Sequence, residues 1–403
     1  MSHLQYLAFC GGGSGGHLIP AIAVAEELLA ENPNTRFLFM TSDRPIDRHI
    51  IATSGLPTRS IDHVALPLRT STRRLFFAWQ CMRSVLHCRR DFQRRRPDIV
   101  IGLGGFASIA GVVAGWMSGI PVVLLEQNTV PGRANRWLQR LAATTFTGWP
   151  LEAKWRGTWR TPVVDVGVPL RRVFSDGKIT SGPPATHLPS VARLLVLGGS
   201  QGAARLNALV VDTLTNHTFG DRNLQVVHQT GLDDQDRVRN AYRQAGITAD
   251  VHAFIDDMPR QLTKSTLVIS RSGAVALAEI AATGRASVLF PLSASADDHQ
   301  LRNAEFFAAC GAAVIVCEQD SDAPLRLTEH LRHLLAIGNA STSSQENADF
   351  PGGSGNCDQF TGAAHAPRAA MESAARSLAP GNAAAAIVKS LLRLTDRIGH
   401  ASE

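Results

Sequence analysis

Each half of the sequence contains an apolar run, then a glycine-rich loop, and then a segment with helical patterning. Residues 6–9 precede the loop at 11–17 (GGGSGGH), and residues 193–197 precede the loop at 198–203 (GGSQGA). Glycines let the backbone approach a ligand closely, and the first N–H groups of the helix that follows can bind an anion. We therefore expect two α/β units, each with a parallel sheet covered by helices.

The alternation of strands and helices extends along most of the chain. A length of 403 residues favours two or three domains, and a hydrophobic content of 44% is enough for a core in each. Helices are predicted at residues 20–30, 73–95, 108–117, 203–214 and 382–397. Strands are predicted at residues 6–9, 35–40, 99–103, 122–125, 193–197, 224–229, 251–254, 267–270 and 286–290.

Two stretches depart from this pattern. Residues 99–125 carry no charge and are long enough to cross a bilayer. Their glycines and Pro121 instead favour a buried strand, a glycine loop, a helix and a second strand. Residues 338–366 are polar, small and low in complexity, so we expect an exposed insertion there.

The glycine loops leave two classes of enzyme open. Gly11, Gly13 and Gly16 fit the dinucleotide pattern GxGxxG, and Asp43 is a candidate for its acidic partner, so a dehydrogenase is one hypothesis. Such an enzyme does not need the second loop, whereas an enzyme that binds ligands between two sheets would use both. A third loop at residues 102–106 (GLGGF) follows a strand, where ligands gather in open α/β sheets. Three loops favour a ligand with several phosphates, or two phosphorylated substrates.

Two polar residues of the second half suit a sugar nucleotide. Glu279 lies in a helix after a small-residue turn, and its carboxylate could accept hydrogen bonds from two vicinal hydroxyls. It could equally be an ordinary helix acid. Gln300 has both a donor and an acceptor for sugar hydroxyls.

Metals and cofactors are not expected. None of the six cysteines forms a CxxC pair, and no DxD-like motif accompanies the loops. Lys and Arg outnumber Asp and Glu by 40 to 34, which favours anionic partners without naming one.

Seven motifs in the same order resemble the MurG family of inverting GT-B glycosyltransferases. The family has an α/β fold with two Rossmann-like domains whose parallel sheets face a cleft. The motifs are residues 11–17, 102–106, 126–132 (EQNTVPG), 198–203, 254–258 (FIDDM), 271–279 (RSGAVALAE) and 299–304 (HQLRNA). They cover most of the chain outside the insertion.

The resemblance implies a role for each matching position. Ser14, Gly15 and Gly16 would line the sugar-nucleotide side, and Gly13, Gly104 and Gly105 would form acceptor diphosphate loops. Asn128 would bind the N-acetylglucosamine, Arg171 and Ser200 the diphosphate, and Ile255 the uracil through its backbone. Gln300 would bind the sugar, and a helical run would line the sugar and ribose: Ala274, Val275, Ala276, Leu277, Ala278 and Glu279, with Glu279 on the ribose hydroxyls. Leu125, Phe106 and Ala276 stand where the family usually has His, Tyr and Thr.

His17 is the candidate catalytic base. In the single displacement that the resemblance implies, a base near neutral pKa must take the proton of the attacking hydroxyl. Histidine titrates in that range, and His17 follows the first glycine loop. A histidine at a helix start can also be only a capping or packing residue, and this alternative stays open.

Residues 69–96 contain nine Arg against one Asp, with apolar residues between them. Such a helix suits the surface of an anionic membrane, and the family docks on the inner leaflet in this way. The docking residues would be Arg73, Arg74, Leu75, Phe76, Trp79 and Arg83. An ordinary surface helix is the alternative, and so is nucleic-acid binding, although no nucleic-acid module accompanies these residues.

The resemblance therefore implies an enzyme that converts lipid I to lipid II with UDP-N-acetylglucosamine, in the synthesis of the peptidoglycan wall. It would act peripherally at the cytoplasmic face of the inner membrane, with undecaprenyl-linked lipid I, anionic phospholipid and other cell-wall enzymes as partners. The acceptor domain is expected at 1–165, with a helix at 382–403 packing back on it, and the UDP-sugar domain at 166–381. The alternatives are a transferase with another lipid acceptor, an NAD-dependent oxidoreductase and a non-catalytic sugar-nucleotide module.

Overall fold

The computed structural model describes residues 4–13, 15–41, 45–56, 59–60, 71–175, 191–199, 202–217, 223–292, 298–335 and 367–401. The chain divides into two compact units. Unit 1 comprises Met1–Ser175 and Pro380–Glu403, and unit 2 comprises Asp176–Ala379. Each unit contains one parallel sheet, as the two glycine loops predict.

Unit 1 contains seven strands among its described residues, in the order β3-β2-β1-β4-β5-β6-β7. They are β1 (Tyr6–Cys10), β2 (Arg36–Thr41), β3 (Arg59–Ser60), β4 (Ile99–Gly102), β5 (Val122–Glu126), β6 (Thr144–Thr147) and β7 (Val163–Asp165). The helices are α1 (Gly15–Glu31), α2 (Pro45–Ser54), α3 (Ser71–Arg94), α4 (Ala107–Met117), α5 (Arg133–Leu138), α6 (Ala153–Arg156) and α7 (Arg172–Ser175), with α15 (Ala383–Ala401) returning from the far end of the chain.

The apolar strands bury both faces of this sheet. Successive side chains of β1 alternate between the faces, so Leu7 and Phe9 pack under α1 and α15, while Ala8 and Cys10 pack under α3 and α4. Phe9 also stacks on Phe39 of β2, with ring centroids 4.7 Å apart. The buried central strands are therefore rigid supports for the loops that follow their carboxyl ends.

The uncharged stretch at 99–125 is buried α/β structure, as predicted: it forms β4, α4 and β5. Its glycines let α4 lie close to the sheet, since a methyl group on Gly111 would lie 2.3 Å from Sγ of Cys10. No helix in the described part of the chain has the length and hydropathy of a membrane span.

Unit 2 contains six strands among its described residues, in the order β10-β9-β8-β11-β12-β13. They are β8 (Val191–Leu197), β9 (Asn223–Gln229), β10 (Ala249–His252), β11 (Leu267–Ser270), β12 (Ser287–Leu289) and β13 (Ala313–Ile315). The helices are α8 (Ala204–Asn216), α9 (Gln235–Gln244), α10 (Met258–Lys264), α11 (Ala274–Thr283), α12 (His299–Ala309), α13 (Ala323–Leu335) and α14 (Arg368–Ser377). The insertion at 338–366 lies outside the described residues.

Three boundaries differ from the sequence predictions. Helix α1 begins at Gly15 instead of near Pro20, so Pro20 lies inside the helix. Strand β10 ends at His252, because the chain turns before Phe254. The division between the units falls after Ser175 instead of residue 165, because the segment behind β7 packs on α1, where Nε of Arg172 lies 3.8 Å from a carboxylate oxygen of Glu27.

Candidate active site

Three loops of unit 1 leave neighbouring strands at the same edge of the sheet. Strand β4 pairs with both β1 and β5, so the loops after these strands share the carboxyl edge, where open α/β sheets bind ligands. The first two loops are in contact, since a methyl group on Gly11 would lie 2.7 Å from Cβ of Leu103. Ser14 lies outside the described residues.

His17 lies in the first turn of α1, half-buried against the 102–106 loop. A methyl group on Gly104 would lie 3.2 Å from Cε1 of His17, and one on Gly105 would lie 3.6 Å from its Nε2. Both glycines have positive φ angles, +90° and +69°, which a side chain would strain. The 102–106 loop therefore fixes the position of the His17 ring, and any larger residue at Gly104 or Gly105 would displace the ring.

Asp47 anchors the first glycine loop, and the sequence analysis missed it. Its fully buried carboxylate accepts a hydrogen bond of 2.7 Å from the N–H of Gly13. Asp47 lies in the first turn of α2, four positions beyond Asp43, which lies outside the described residues. An acid in a first helical turn is common, so only the tertiary contact reveals this role.

Glu126, at the end of β5, organises the loop at residues 126–132. Its carboxylate is only 3% exposed and accepts four hydrogen bonds. One oxygen takes the backbone N–H and the side-chain amide of Asn128, both at 3.1 Å. The other takes the N–H of Gly132 at 2.8 Å and the side-chain amide of Asn135 at 2.9 Å. One amide hydrogen of Asn128 is thus committed to Glu126, which sets the direction of the side chain.

Arg171 follows β7 in a segment whose buried residues, Val168 and Leu170, hold it to unit 1. The Arg171 side chain is half-buried, and its Nε has no hydrogen-bond partner in the described part of the chain. A buried guanidinium N–H without an acceptor favours an anionic ligand nearby.

The glycine loop of unit 2 rests on the end of β9. The N–H of Gly198 donates to the carbonyl of Gln229 at 3.1 Å, and a methyl group on Gly202 would lie 2.8 Å from the carbonyl oxygen of Thr230. Gly202 has a φ of +77°, so a side chain would be strained as well as crowded. Ser200 lies outside the described residues.

Gln229 also orients the segment around Ile255, which is expected to bind the uracil. Its buried side-chain oxygen accepts the backbone N–H of Ile255 at 3.0 Å. Because that N–H is engaged, a backbone contact from Ile255 to a base would use its carbonyl. The sequence analysis did not identify Gln229, whose role depends on a partner 26 residues away.

The helix α11 presents fewer side chains than the sequence analysis expects. Leu277 and Ala278 are fully buried in the core, so only their backbone could take part in binding. Ala274 and Val275 are also buried, whereas Ala276 is half-buried. The N-cap residue of α11 is Gly273, which has no side chain, and the N-terminus of a helix suits an anionic or polar ligand. Glu279 lies in the second turn and is 8% exposed.

Gln300 lies in the first turn of α12 and contacts two other segments. Its side-chain oxygen accepts the N–H of Leu292 at 3.1 Å, and its backbone carbonyl accepts the hydroxyl of Ser272 at 2.7 Å. The amide nitrogen of Gln300 is therefore the group that it can offer to a sugar. Asp298, the residue before α12, has a φ of +53°, and backbone strain of this kind concentrates at functional sites.

Arg271 has a structural role. It is largely buried, lies 2.7 Å from a carboxylate oxygen of Glu318, and donates to the carbonyl of Phe290 at 3.1 Å. These contacts connect the ends of β11, β12 and β13 beneath the start of α11.

A buried polar network lies behind the glycine loop of unit 2. The ring nitrogens of His228 lie 3.0 Å from the hydroxyl of Tyr242 and 3.1 Å from Oδ1 of Asn207. Nδ2 of Asn207 donates to the carbonyl of Thr230 at 3.0 Å and to Asp234 at 2.8 Å. Burial lowers the pKa of His228 to about 3, a shift that the nearby carboxylate of Asp234 opposes and Arg237 reinforces.

This histidine predicts a pH dependence of stability. Its folded-state pKa lies below its usual value of about 6.5, so the unfolded chain binds the proton first, and stability falls as the pH drops from about 6.5 towards 3. When the pH falls from 6 to 5, we expect the free energy of unfolding, measured in urea, to decrease by about 1 kcal/mol less in His228→Gln than in the wild type. The exposed His217→Gln is the matched control. Equal losses in the His228 variant and the wild type would contradict the prediction.

Among the described residues, no three His, Cys, Asp or Glu side chains form a group that could hold a metal ion. The expectation that catalysis needs no metal stays a prediction.

Comparisons with known proteins match both units. Residues 7–147 match the glycosyltransferase family 28 N-terminal domain, and residues 193–354 match the glycosyltransferase family 28 C-terminal domain. A relative from Anaeromyxobacter sp. (strain K) is 35% identical over 81% of this chain and 83% of its own length. A relative from Acidithiobacillus ferrooxidans is 37% identical over 81% and 87%. Both are named UDP-N-acetylglucosamine--N-acetylmuramyl-(pentapeptide) pyrophosphoryl-undecaprenol N-acetylglucosamine transferase.

Among solved structures, a crystal structure of MurG from Acinetobacter baumannii is similar to this chain with a TM-score of 0.70. The match covers 96% of this chain and 99% of the other, at 23% sequence identity. At that identity the likeness supports the fold.

Proposed function

Because this chain belongs to the MurG family of N-acetylglucosamine transferases, we propose that it glycosylates lipid I at the membrane surface. It transfers N-acetylglucosamine from UDP-N-acetylglucosamine to undecaprenyl-diphospho-N-acetylmuramoyl-pentapeptide and so forms lipid II. The observation that carries this proposal is that relatives of this name align with four fifths of the chain, through both units. Family membership also decides against an NAD-dependent oxidoreductase.

The reaction is a single displacement with inversion. The C4 hydroxyl oxygen of the muramyl sugar forms a bond to the anomeric carbon, and the bond from that carbon to the UDP oxygen breaks. The hydroxyl proton passes to His17, and UDP leaves with the bonding electrons. General base catalysis of this kind contributes roughly 10²–10⁴-fold.

The departing UDP carries the developing negative charge. We assign its stabilisation to Arg171 and to N–H groups of the 198–203 loop, because fixed hydrogen-bond donors stabilise developing charge without reorganisation. The buried Nε of Arg171 supports this assignment, since it has no acceptor among the described residues. Ser200, which lies in the same loop in the sequence, is also proposed to bind the diphosphate.

The remaining donor contacts follow from unit 2. Ile255 would contact the uracil through its carbonyl, Glu279 the ribose hydroxyls, and Gln300 the sugar through its amide nitrogen. The N-terminus of α11, which begins at Ala274, would add backbone N–H groups. The amide of Asn128 in unit 1, oriented by Glu126, would bind the N-acetylglucosamine.

A transfer assay tests the function. The purified chain is incubated with radiolabelled UDP-N-acetylglucosamine and either a lipid I analogue, diacylglycerol or no acceptor. We expect labelled disaccharide lipid with the lipid I analogue alone. Product only with diacylglycerol would identify a different lipid transferase, and UDP release without any acceptor would indicate hydrolysis.

We further propose that α3 docks the enzyme on anionic phospholipid at the cytoplasmic face of the inner membrane. Trp79 and Met82 are 56% and 58% exposed, and with exposed Leu86 they share one face of the helix, since they follow i, i+3, i+7 spacing. The guanidinium of Arg83 lies 5.7 Å from the Trp79 ring. The opposite face of α3, including Val85, is buried in the core.

Two neighbouring helices also expose tryptophans. Trp116, at the end of α4, is 54% exposed, and Trp137 of α5 is 62% exposed. Helix α4 packs against both α3 and α5. Exposed aromatic side chains together with arginines are typical of interfacial binding. The side chains of Arg73, Arg74, Leu75 and Phe76 lie outside the described residues.

Vesicle flotation tests the docking proposal. On vesicles with one quarter phosphatidylglycerol, the triple variant Trp79→Ala, Met82→Ala, Arg83→Ala should bind at least ten-fold more weakly, because it loses two apolar side chains and a cation worth about 1 kcal/mol at such a surface. Arg243→Ala, an exposed arginine of unit 2, is the control for charge. Turnover of a water-soluble lipid I analogue should be unchanged. Equal flotation of the triple variant and the wild type would reject this surface.

A further inference from the structure

The glycine loop of unit 2 has a base made of two residues, Gln229 and Thr230. Gly198, at one end of the loop, donates to the Gln229 carbonyl, and Gly202, at the other end, lies directly against the Thr230 carbonyl. The position of the Gln229–Thr230 peptide therefore sets the positions of Gly198 and Gly202.

Asn207 ties this base to the helix that follows the loop. It lies in the first turn of α8 and is fully buried, and its backbone N–H donates to the carbonyl of Ala203 at 2.8 Å. Its side-chain nitrogen donates to the carbonyl of Thr230 at 3.0 Å and to Asp234 at 2.8 Å. The entry and exit of the loop are thus connected through one side chain.

The network fixes the orientation of that side chain. Both neighbours of Nδ2, the Thr230 carbonyl and Asp234, are acceptors, so the amide nitrogen must face them and Oδ1 must face His228. Oδ1 can only accept, so Nε2 of His228 carries the hydrogen, and Nδ1 accepts the hydroxyl of Tyr242. Every polar atom in this sequence of contacts has one role, which favours a rigid support.

We propose that Asn207, oriented by His228 and Asp234, is a positioning residue that holds Gly198 and Gly202, and with them the two ends of the glycine loop, where the donor diphosphate binds. This inference rests on the proposed function, because it takes the loop to be the diphosphate site. Asn207, His228 and Asp234 would thus act on the diphosphate indirectly, through the backbone of Gly198 and Gly202.

The replacement Asn207→Asp tests the proposal with almost no change of shape. Aspartate can still accept from His228, but it places an oxygen against the Thr230 carbonyl and Asp234, which are both acceptors. We expect UDP to bind at least ten-fold more weakly by calorimetry. Uridine, which lacks the diphosphate, should inhibit with a constant within two-fold of the wild-type value, and the KM for the lipid acceptor should be unchanged.

Val210→Ala is the matched control. It removes part of a fully buried side chain one turn along the same helix, so it lowers the melting temperature without touching Thr230. UDP affinity should be retained in this variant. If Asn207→Asp does not fold, Asn207→Ala removes the same donor without adding charge and should show the same selective loss for UDP.

The outcomes separate the two proposals. Failure of the wild type to bind UDP would overturn the proposed function itself. Wild-type binding with unchanged UDP affinity in a folded Asn207 variant would overturn the positioning role alone. An equal loss of UDP and uridine affinity would also overturn it, since that result would indicate general damage to unit 2.

Discussion

Replacing His17 with alanine is expected to lower kcat at least 100-fold while UDP-N-acetylglucosamine still binds. The variant loses the group proposed to take the proton from the attacking hydroxyl, and general base catalysis is worth roughly 10²–10⁴-fold. The donor contacts proposed for unit 2 do not include His17, so the Kd for UDP-N-acetylglucosamine should change less than three-fold. Turnover is measured with a lipid I analogue, and donor binding by calorimetry.

A second substitution separates the base from a packing residue. His17→Asn keeps a polar side chain beside Gly104 and Gly105 but cannot accept a proton at neutral pH. If His17 acts as the base, this variant should be as slow as His17→Ala. His217→Ala, at an exposed histidine of unit 2, controls for the loss of an imidazole elsewhere. Full activity in His17→Ala would remove His17 as the base, and activity in His17→Asn alone would make it a packing residue.

The sequence predicted the features that depend on local patterns. The glycine loops, the buried strand–helix–strand at 99–125 and the two-unit α/β fold all follow from runs of neighbouring residues, and the structure confirms them. Strands β3, β6, β7 and β13 were missed, and each has only two to four residues, which is too short for a clear strand pattern. The start of α1 was placed too late because Pro20 was given more weight than the loop that leads directly into the helix.

The supports of the site could not be predicted in the same way. Asp47 and Gly13 are 34 residues apart, and Ile255 and Gln229 are 26 apart, so their hydrogen bonds leave no local signal. Glu126 was visible as part of a motif, yet nothing in its neighbours shows that its carboxylate is buried among four donors. Residues that would touch a substrate carry recognisable motifs, whereas residues that hold them depend on the tertiary fold.

Glu126→Gln should therefore be among the most damaging conservative changes in the chain. The carboxylate accepts two hydrogen bonds on each oxygen, and an amide can replace only one oxygen. Whichever way the amide turns, its NH₂ group faces two donors, at least partly buried, that lose their acceptor. At about 1–3 kcal/mol for each unsatisfied group, we expect the free energy of unfolding to fall by about 2–6 kcal/mol.

Activity should fall with it, because Asn128 and the loop that ends at Gly132 lose their common anchor. We expect kcat/KM for the sugar donor to fall at least 100-fold at a temperature where the variant remains folded, measured beside urea unfolding at the same temperature. Glu152→Gln is the matched control: it makes the same chemical change in a partly exposed pair with Lys154, 2.8 Å away, and should cost less than about 1 kcal/mol. If Glu126→Gln kept wild-type stability and turnover, the four hydrogen bonds would not be what holds this loop, and the placement of Asn128 would need another cause.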